Sequence, residues 1–390
     1  MPPESDAGIV VVGCGHAALS LVRELRRRDA RRALTIVTAD SGDVYSKPAL
    51  STAHADQRPV QALVSQNAAA MAEALDVRLL VHTRALSIDV PSRLLHTDRG
   101  MLRYEALVLA TGASPRPLQV SGDGGADAIA VNSLDDYRRL RARLGLDARV
   151  AVIGAGLVGC ELALDLRTGG HAVALFDSAS RPLHRLLPDF ASQRIAGALA
   201  RAGVALHLGQ APDRVVRGPG GYRVGAGAIE EEVDVVISAI GLHVEAGLPG
   251  SADIATAAGI VTDDCLRTSA PHVFALGDCV QIDGRLQPFL LPIMHGARAL
   301  AATLCGTPTA VHYPPMPVTI KTPACPTLMC APAPADAGRW VVEADDSDGL
   351  RGVFLADASD DVLGFVLQGG RIRERAAMLT RLTQRSPVVA

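Results

Sequence analysis

The alternation of apolar and polar positions along the chain falls into one pattern written twice. Gly8-Ile-Val-Val-Val12 is a short run rich in β-branched residues, bounded at once by Gly13-Cys-Gly15. It predicts a buried strand that ends in a sharp turn. Leu19, Val22 and Leu25 then recur at helical spacing and lead into Arg26, Arg27 and Arg28, so a helix follows the turn. Leu34-Thr-Ile-Val37 predicts a second strand, with Asp40 just beyond it. From Arg149 the order returns: a strand over Val150–Ile153, the turn Gly154-Ala-Gly156-Leu-Val-Gly159, a helix through Leu166, and a strand over Ala172–Phe176 that ends at Asp177. Each copy closes alike, on Leu107-Val-Leu-Ala-Thr-Gly112 and on Val235-Val-Ile-Ser-Ala-Ile-Gly241. Strands alternating with helices in this way predict an α/β fold with two Rossmann-like dinucleotide-binding domains.

The spacing of the glycines has a physical meaning. The first lets the strand turn, the second lets backbone approach a pyrophosphate, and the third lets the helix pack closely on the sheet. The phosphates then meet the unpaired N–H groups and the positive end of the helix dipole. Gly13, Gly15, His16 and Ala17 are the candidates in the first turn, with Ala18 in place of the third glycine. Gly154, Gly156, Leu157 and Val158 are those in the second. An acid at the end of the second strand accepts hydrogen bonds from a ribose; Asp40 lies 27 residues after Gly13, and Asp177 lies 23 after Gly154. Asp177 would repel a ribose 2′-phosphate, which favours NADH over NADPH even with Arg181 nearby.

Composition narrows the class. At 390 residues the chain has room for two to three domains, and 48% hydrophobic against 20% charged residues excludes wholesale disorder. A net charge of −3 and one Trp, five Tyr and six Phe argue against a nucleic-acid binder. No apolar stretch approaches the roughly 20 residues of a membrane span. The start, Met1-Pro-Pro-Glu-Ser-Asp-Ala, has no basic region and does not read as a secretory leader. Seven scattered cysteines suit a reducing cytoplasm, and no Cys/His cluster has zinc spacing, so no metal site is expected.

A third segment makes a resemblance specific. Thr268-Ser-Ala-Pro-His-Val-Phe-Ala-Leu-Gly-Asp278 reads as a strand ending in Gly-Asp, ahead of a helix from about Leu291 to Leu304. With Ala110-Thr111-Gly112, it resembles the FAD-dependent pyridine-nucleotide oxidoreductase superfamily. Tyr45-Ser-Lys-Pro-Ala-Leu-Ser-Thr52 and Pro315-Met-Pro-Val-Thr-Ile-Lys-Thr-Pro-Ala-Cys-Pro326 look like the rubredoxin–NAD(+) reductases within it. The resemblance implies tightly bound FAD in the first unit, with Thr111, Gly112 and Asp278 beside it, and NADH as substrate in the second. It also implies a transient encounter with rubredoxin, a one-electron acceptor.

Lys47 and Lys321 are the two lysines of the chain. Fixed cations stabilise an anionic reduced flavin, so both are candidates for its ring. The resemblance places Lys47 near flavin N5, paired with Glu161. A disulfide centre is the competing idea, because Cys325-Pro-Thr-Leu-Met-Cys330 has the CxxxxC spacing of disulfide reductases. Those enzymes carry the pair after the first ribose-binding acid, where this chain has no cysteine, and Pro326 disfavours a helix start there. Cys14, Cys160, Cys265, Cys279 and Cys305 read as small apolar residues of the interior.

The nicotinamide unit is expected as an insertion. The division is 1–117 for the first part of the FAD domain, 118–246 for the NADH domain, 247–313 for the second FAD part, and 314–390 for a small α+β C-terminal domain. There Trp340-Val-Val-Glu, Gly352-Val-Phe-Leu and Val362–Gln368 predict antiparallel strands, Ile372–Leu382 a helix, and Trp340 a core position. Since rubredoxins are acidic as a family, the basic runs Arg23–Arg32 and Arg371–Arg375 are candidate docking faces. A ferredoxin reductase of an oxygenase system and an apoptosis-inducing-factor-like NADH-binding protein are the alternatives.

Overall fold

The computed structural model describes residues 4–286 and 288–383; Met1–Pro3, the beginning of the acidic start, lie outside them. The chain gathers into two compact units. One comprises 1–46, 61–114 and 242–314; the other comprises 47–60, 115–241 and 315–390.

In the first unit the predicted strand is β1 (Glu4–Val12), and Ile9 to Val12 are all buried, as expected of a strand covered on both faces. It pairs in parallel with β2 (Leu34–Val37), Val12 opposite Val37. The sheet continues through β3 (Arg78–Leu80), β4 (Ala85–Asp89), β5 (Leu94–Thr97) and β6 (Gly100–Leu109), in the order β3-β2-β1-β6-β5-β4. The Gly-Asp segment contributes only the short strand Val273–Ala275, parallel to β6. Helix α1 (His16–Arg28) buries Ala18, Leu21, Val22 and Leu25 completely, the i, i+3, i+4, i+7 stripe of an amphipathic helix. The helix Leu290–Leu304 packs beside α1.

The second unit repeats the plan. Strands β7 (Arg149–Ile153), β8 (Ala172–Asp177), β9 (Ala205–Leu208) and β10 (Val235–Ser238) form a parallel sheet in the order β9-β8-β7-β10. Helix α2 (Leu157–Thr168) is buried from Gly159 to Leu166. Helix α3 (Asp189–Arg201) follows.

The C-terminal part of this unit is an antiparallel sheet of β11 (Val318–Ile320), β12 (Thr327–Cys330), β13 (Gly338–Asp346), β14 (Gly349–Ala356) and β15 (Val362–Gly369), ordered β11-β12-β15-β14-β13. One face, with Val353, Phe365 and Leu367, takes Met378 and Leu382 of helix α4 (Arg375–Thr383). The other meets α3, where Gln368 Nε2 donates to the Ala191 carbonyl at 3.0 Å. Two expectations need correction. The predicted helix over Ile372–Leu382 opens as a 3-10 turn, Gly370–Glu374. Trp340 sits half-buried on the edge strand β13, edge-on to Phe190 and Phe354, instead of in the core.

The strand-to-helix turns explain the glycines. Gly13 and Gly154 have φ of 108° and 106°, and a Cβ on them would lie 2.2 Å from the Ala110 carbonyl oxygen and 2.5 Å from that of Ala239. At Gly159 a Cβ would meet the Gly154 carbonyl oxygen at 1.8 Å, so the helix rests directly on strand backbone. Ala18, at the corresponding place in the first unit, is wholly buried. Gly159→Ala is therefore expected to lower stability by about 1–3 kcal/mol through overpacking, measured by urea unfolding; Gly156→Ala, whose Cβ meets nothing within 4 Å, should leave the apoprotein unchanged.

Candidate active site

In the first turn, the Gly13 N–H donates to the Val37 carbonyl at 2.8 Å, and α1 begins at Gly15 with no side chain capping it. Its first N–H groups are thus left for an anion. A Cβ on Gly15 or Gly112 would meet nothing within 4 Å. Ala17 is buried, and Gly277 comes so close that an added Cβ would lie 2.7 Å from the Ala17 Cβ. This brings the half-buried Asp278 to the start of the helix. The imidazole of His16, pushed toward its neutral form by desolvation and then by Arg23, feels the opposing charge of Asp278. Asp40 is exposed past β2; its Oδ1 accepts from the Thr38 hydroxyl at 2.6 Å and from the Gly42 N–H at 3.1 Å. A narrow turn, an uncapped helix start and a carboxylate at the strand end fit a dinucleotide such as FAD.

The second turn has the same features. Gly156 caps α2 without a side-chain hydrogen bond, and Val158 stands 44% exposed beside the half-buried Leu157. Asp177 accepts from the Ala155 N–H at 2.6 Å through Oδ2 and from the Ala179 N–H at 2.7 Å through Oδ1. This carboxylate is thereby locked to the glycine turn, a link that residue spacing alone does not reveal. Arg181 donates to the Leu187 carbonyl at 2.9 Å and pairs with Asp189 at 2.7 Å. These contacts hold the Arg181 guanidinium at the start of α3.

A polar centre lies on α2. Glu161, 1% exposed, accepts from the Lys321 backbone N–H at 2.9 Å and from the Ser51 hydroxyl at 2.5 Å. The Lys321 ammonium lies 3.6 Å from Oε2 and also donates to the Pro48 carbonyl. Pro48 and Ser51 belong to the 3-10 turn Lys47–Thr52, which Lys47 opens with its side chain exposed. The structure thus joins Glu161, Lys321 and the Lys47 turn in one cluster. Ser51 is the member that sequence reasoning passed over.

One helical turn further on, Asp165 accepts from the N–H groups of His54 and Ala55 at 2.7 and 3.1 Å. Burial raises this carboxyl to a pKa of about 6. The Ala148 N–H donates to His171 Nδ1 at 3.1 Å, so the ring hydrogen sits on Nε2, which faces His54 Nε2 at 2.8 Å. Both imidazoles are kept neutral chiefly by desolvation, His54 down to about 4.

The cysteines are quiet. Cys325 and Cys330 are buried, and desolvation pushes both thiols up, Cys330 to about 11, opposite to what a redox nucleophile needs. Cys160 and Cys279 are interior as expected, but Cys14 and Cys265 are half-buried and Cys305 is exposed. Some members of the basic runs are paired within the chain. Arg27 pairs with Glu24 and Arg32 with Glu105, while Arg371 pairs with Glu374 and Asp346, and Arg373 with Asp348. Among the described residues, no helix is long and apolar enough to cross a membrane.

Residues 7–299 match the family model described as pyridine nucleotide-disulphide oxidoreductase, and residues 310–382 match a rubredoxin binding C-terminal domain. The chain belongs to the pyridine nucleotide-disulphide oxidoreductase family and is an oxidoreductase of its FAD- and NAD(H)-dependent kind. It is 38% identical to a rubredoxin-NAD(+) reductase of Alcanivorax borkumensis over 94% of this chain and 96% of that protein. It is 40% identical to a nitric oxide reductase FlRd-NAD(+) reductase of Aeromonas hydrophila over 97% and 98%. The reductase in the covalent putidaredoxin reductase–putidaredoxin complex shares the fold, with a TM-score of 0.87 at 24% identity, covering 98% of this chain and 94% of that one.

The buried pair of imidazoles predicts acid sensitivity. At about pH 5 an unfolded chain holds a proton on each of the two imidazoles and none on the carboxyl. The folded chain keeps His54 neutral and protonates Asp165. Asp165 favours the fold as pH falls from about 6, while His54 loses stability through the same window, so these two nearly cancel. The pH dependence that remains follows His171, whose lowered pKa makes the fold lose stability as pH falls below the unfolded value of about 6.5. In urea titrations below that value, His171→Gln should flatten this dependence.

Proposed function

We propose that this chain carries electrons from NADH, through FAD held at the Gly13–Ala18 turn, to rubredoxin. FAD, when bound, supplies the ability to accept two electrons together and release them singly. The observation that carries the reading is the duplicated turn: each sheet ends in a crowded glycine, an open glycine and an uncapped helix start.

In this reading 1–117 and 247–313 hold FAD, 118–246 receive NADH and 314–390 meet the acceptor. Gly13, Gly15, His16 and Ala17 bind the flavin dinucleotide's phosphates, Asp40 its ribose, and Asp278 with Thr111 and Gly112 the chain leading to its ring. Gly154, Gly156, Leu157 and Val158 receive NADH, and Asp177 orients its ribose. Lys47, Glu161 and Lys321 steady charge at the ring, as fixed groups spared the cost of reorganising. The names of the Alcanivorax and Aeromonas relatives support rubredoxin, free or in a nitric oxide reductase system, as the acceptor chemistry. Seven free thiols in the described chain support a reducing, cytoplasmic setting.

Stopped-flow mixing of the FAD-loaded protein with NADH, then with rubredoxin or ferredoxin, tests the proposal. Rapid flavin bleaching and faster reoxidation by rubredoxin are expected; preference for ferredoxin would overturn the acceptor, and a slow, long-lived charge-transfer complex would favour the interaction role. Lys47→Ala should slow reduction by about 10–100-fold with FAD content retained. Asp177→Ala should raise KM for NADH by about tenfold or more, through lost charge-assisted hydrogen bonds, and narrow the preference over NADPH.

A further inference from the structure

Glu161 is a carboxylate with almost no access to water, and a buried charge survives only where donors surround it. Two of those donors come from Lys321: its backbone N–H on Oε1 and its ammonium 3.6 Å from Oε2. The third is the hydroxyl of Ser51, 6% exposed, on the last full turn of the Lys47 segment. Ser51 has one proton and two acceptors in reach, Glu161 Oε2 at 2.5 Å and the Pro48 carbonyl at 3.2 Å. The shorter, charge-assisted bond takes the proton. The Pro48 carbonyl is supplied instead by the Lys321 ammonium.

The result is a closed ring of contacts. Ser51 binds Glu161, Glu161 binds Lys321, and Lys321 binds Pro48, three residues before Ser51. Lys47 is the residue next to Pro48. The placement of its backbone follows that of this short turn. Asp165 steadies the far end of the same segment through His54 and Ala55.

We infer that Ser51 is a positioning residue of the electron-transfer centre: its hydroxyl fixes the Glu161 carboxylate and the turn that presents Lys47. This rests on the reading of Lys47, Glu161 and Lys321 given above. Ser51 acts through Glu161 and needs no contact of its own with flavin or nicotinamide. Losing this hydrogen bond leaves the carboxylate less tightly oriented, so the effect falls on the chemical step and not on NADH binding, and a hydroxyl at the same place restores it.

The test uses the holoenzyme carrying Ser51→Ala, Ser51→Cys, Ser51→Thr or Glu161→Gln. Flavin content and melting temperature report folding. The rate of flavin reduction is followed against NADH concentration, which separates the limiting rate from binding. Ser51→Ala should lower the limiting rate by about tenfold, the loss of one charge-assisted hydrogen bond, and leave the apparent affinity for NADH unchanged. Ser51→Cys, a weaker donor of similar size, should lower the limiting rate part of the way and serves if the alanine variant folds poorly. Ser51→Thr should restore it. An unchanged limiting rate, or a loss that Thr does not restore, beside a slow Glu161→Gln, would overturn the role of Ser51 alone. Reduction at the unaltered rate in Glu161→Gln would overturn the reading of the centre as well.

Discussion

Everything in the second unit depends on the absence of a side chain where α2 leaves β7. The Gly154 carbonyl and the Gly159 Cα come so near that no β-carbon fits between them. That contact sets the helix low on the sheet, points its first N–H groups past the strand end and brings Asp177 within reach of the turn. It also fixes which side of α2 carries Glu161 and Asp165, the two buried carboxylates that hold the 47–55 segment. The first unit carries Ala18 at the corresponding place, wholly buried, so its helix start makes room for a methyl group.

The parallel strands of both sheets were legible because they are apolar runs and their turns are built from residues with little conformational choice. Val150–Ile153 has no polar position to place toward water, and Gly154 cannot be replaced without strain. The carboxylates at the two strand ends, Asp40 and Asp177, were legible as candidates because they follow their glycines at short sequence distances. What stayed hidden depends on contacts between distant segments. Nothing in Ser51 marks it as the partner of a residue 110 positions away. The imidazoles of His54 and His171, separated by 117, show no spacing rule at all. Trp340 misled because size was read as burial, whereas an edge strand leaves one flank of a large ring in solvent.

Charge was the least readable property. Runs such as Arg371–Arg375 look like surfaces awaiting an acidic partner, yet acids some 25 residues away meet Arg371 and Arg373. Arg371 reaches Asp346 across 25 residues and Glu374 across three. A surface ion pair of this kind adds little stability, but it cancels local field. In the interior the ion pair of Glu161 with the Lys321 ammonium joins residues 160 positions apart, which no run of charges announces.

The open glycines of the two turns answer to a different master from the crowded ones. Gly13, Gly154 and Gly159 are enforced by the polypeptide itself, whereas at Gly15 and Gly156 no atom of the chain stands in the way of a side chain, and in the proposed function a bound dinucleotide is what keeps them bare. Over evolutionary time the two kinds should decay separately. A descendant relieved of its redox duty would first fill the middle position, keep its architecture intact, and survive as a scaffold whose ancestry is written in the glycines it could not discard.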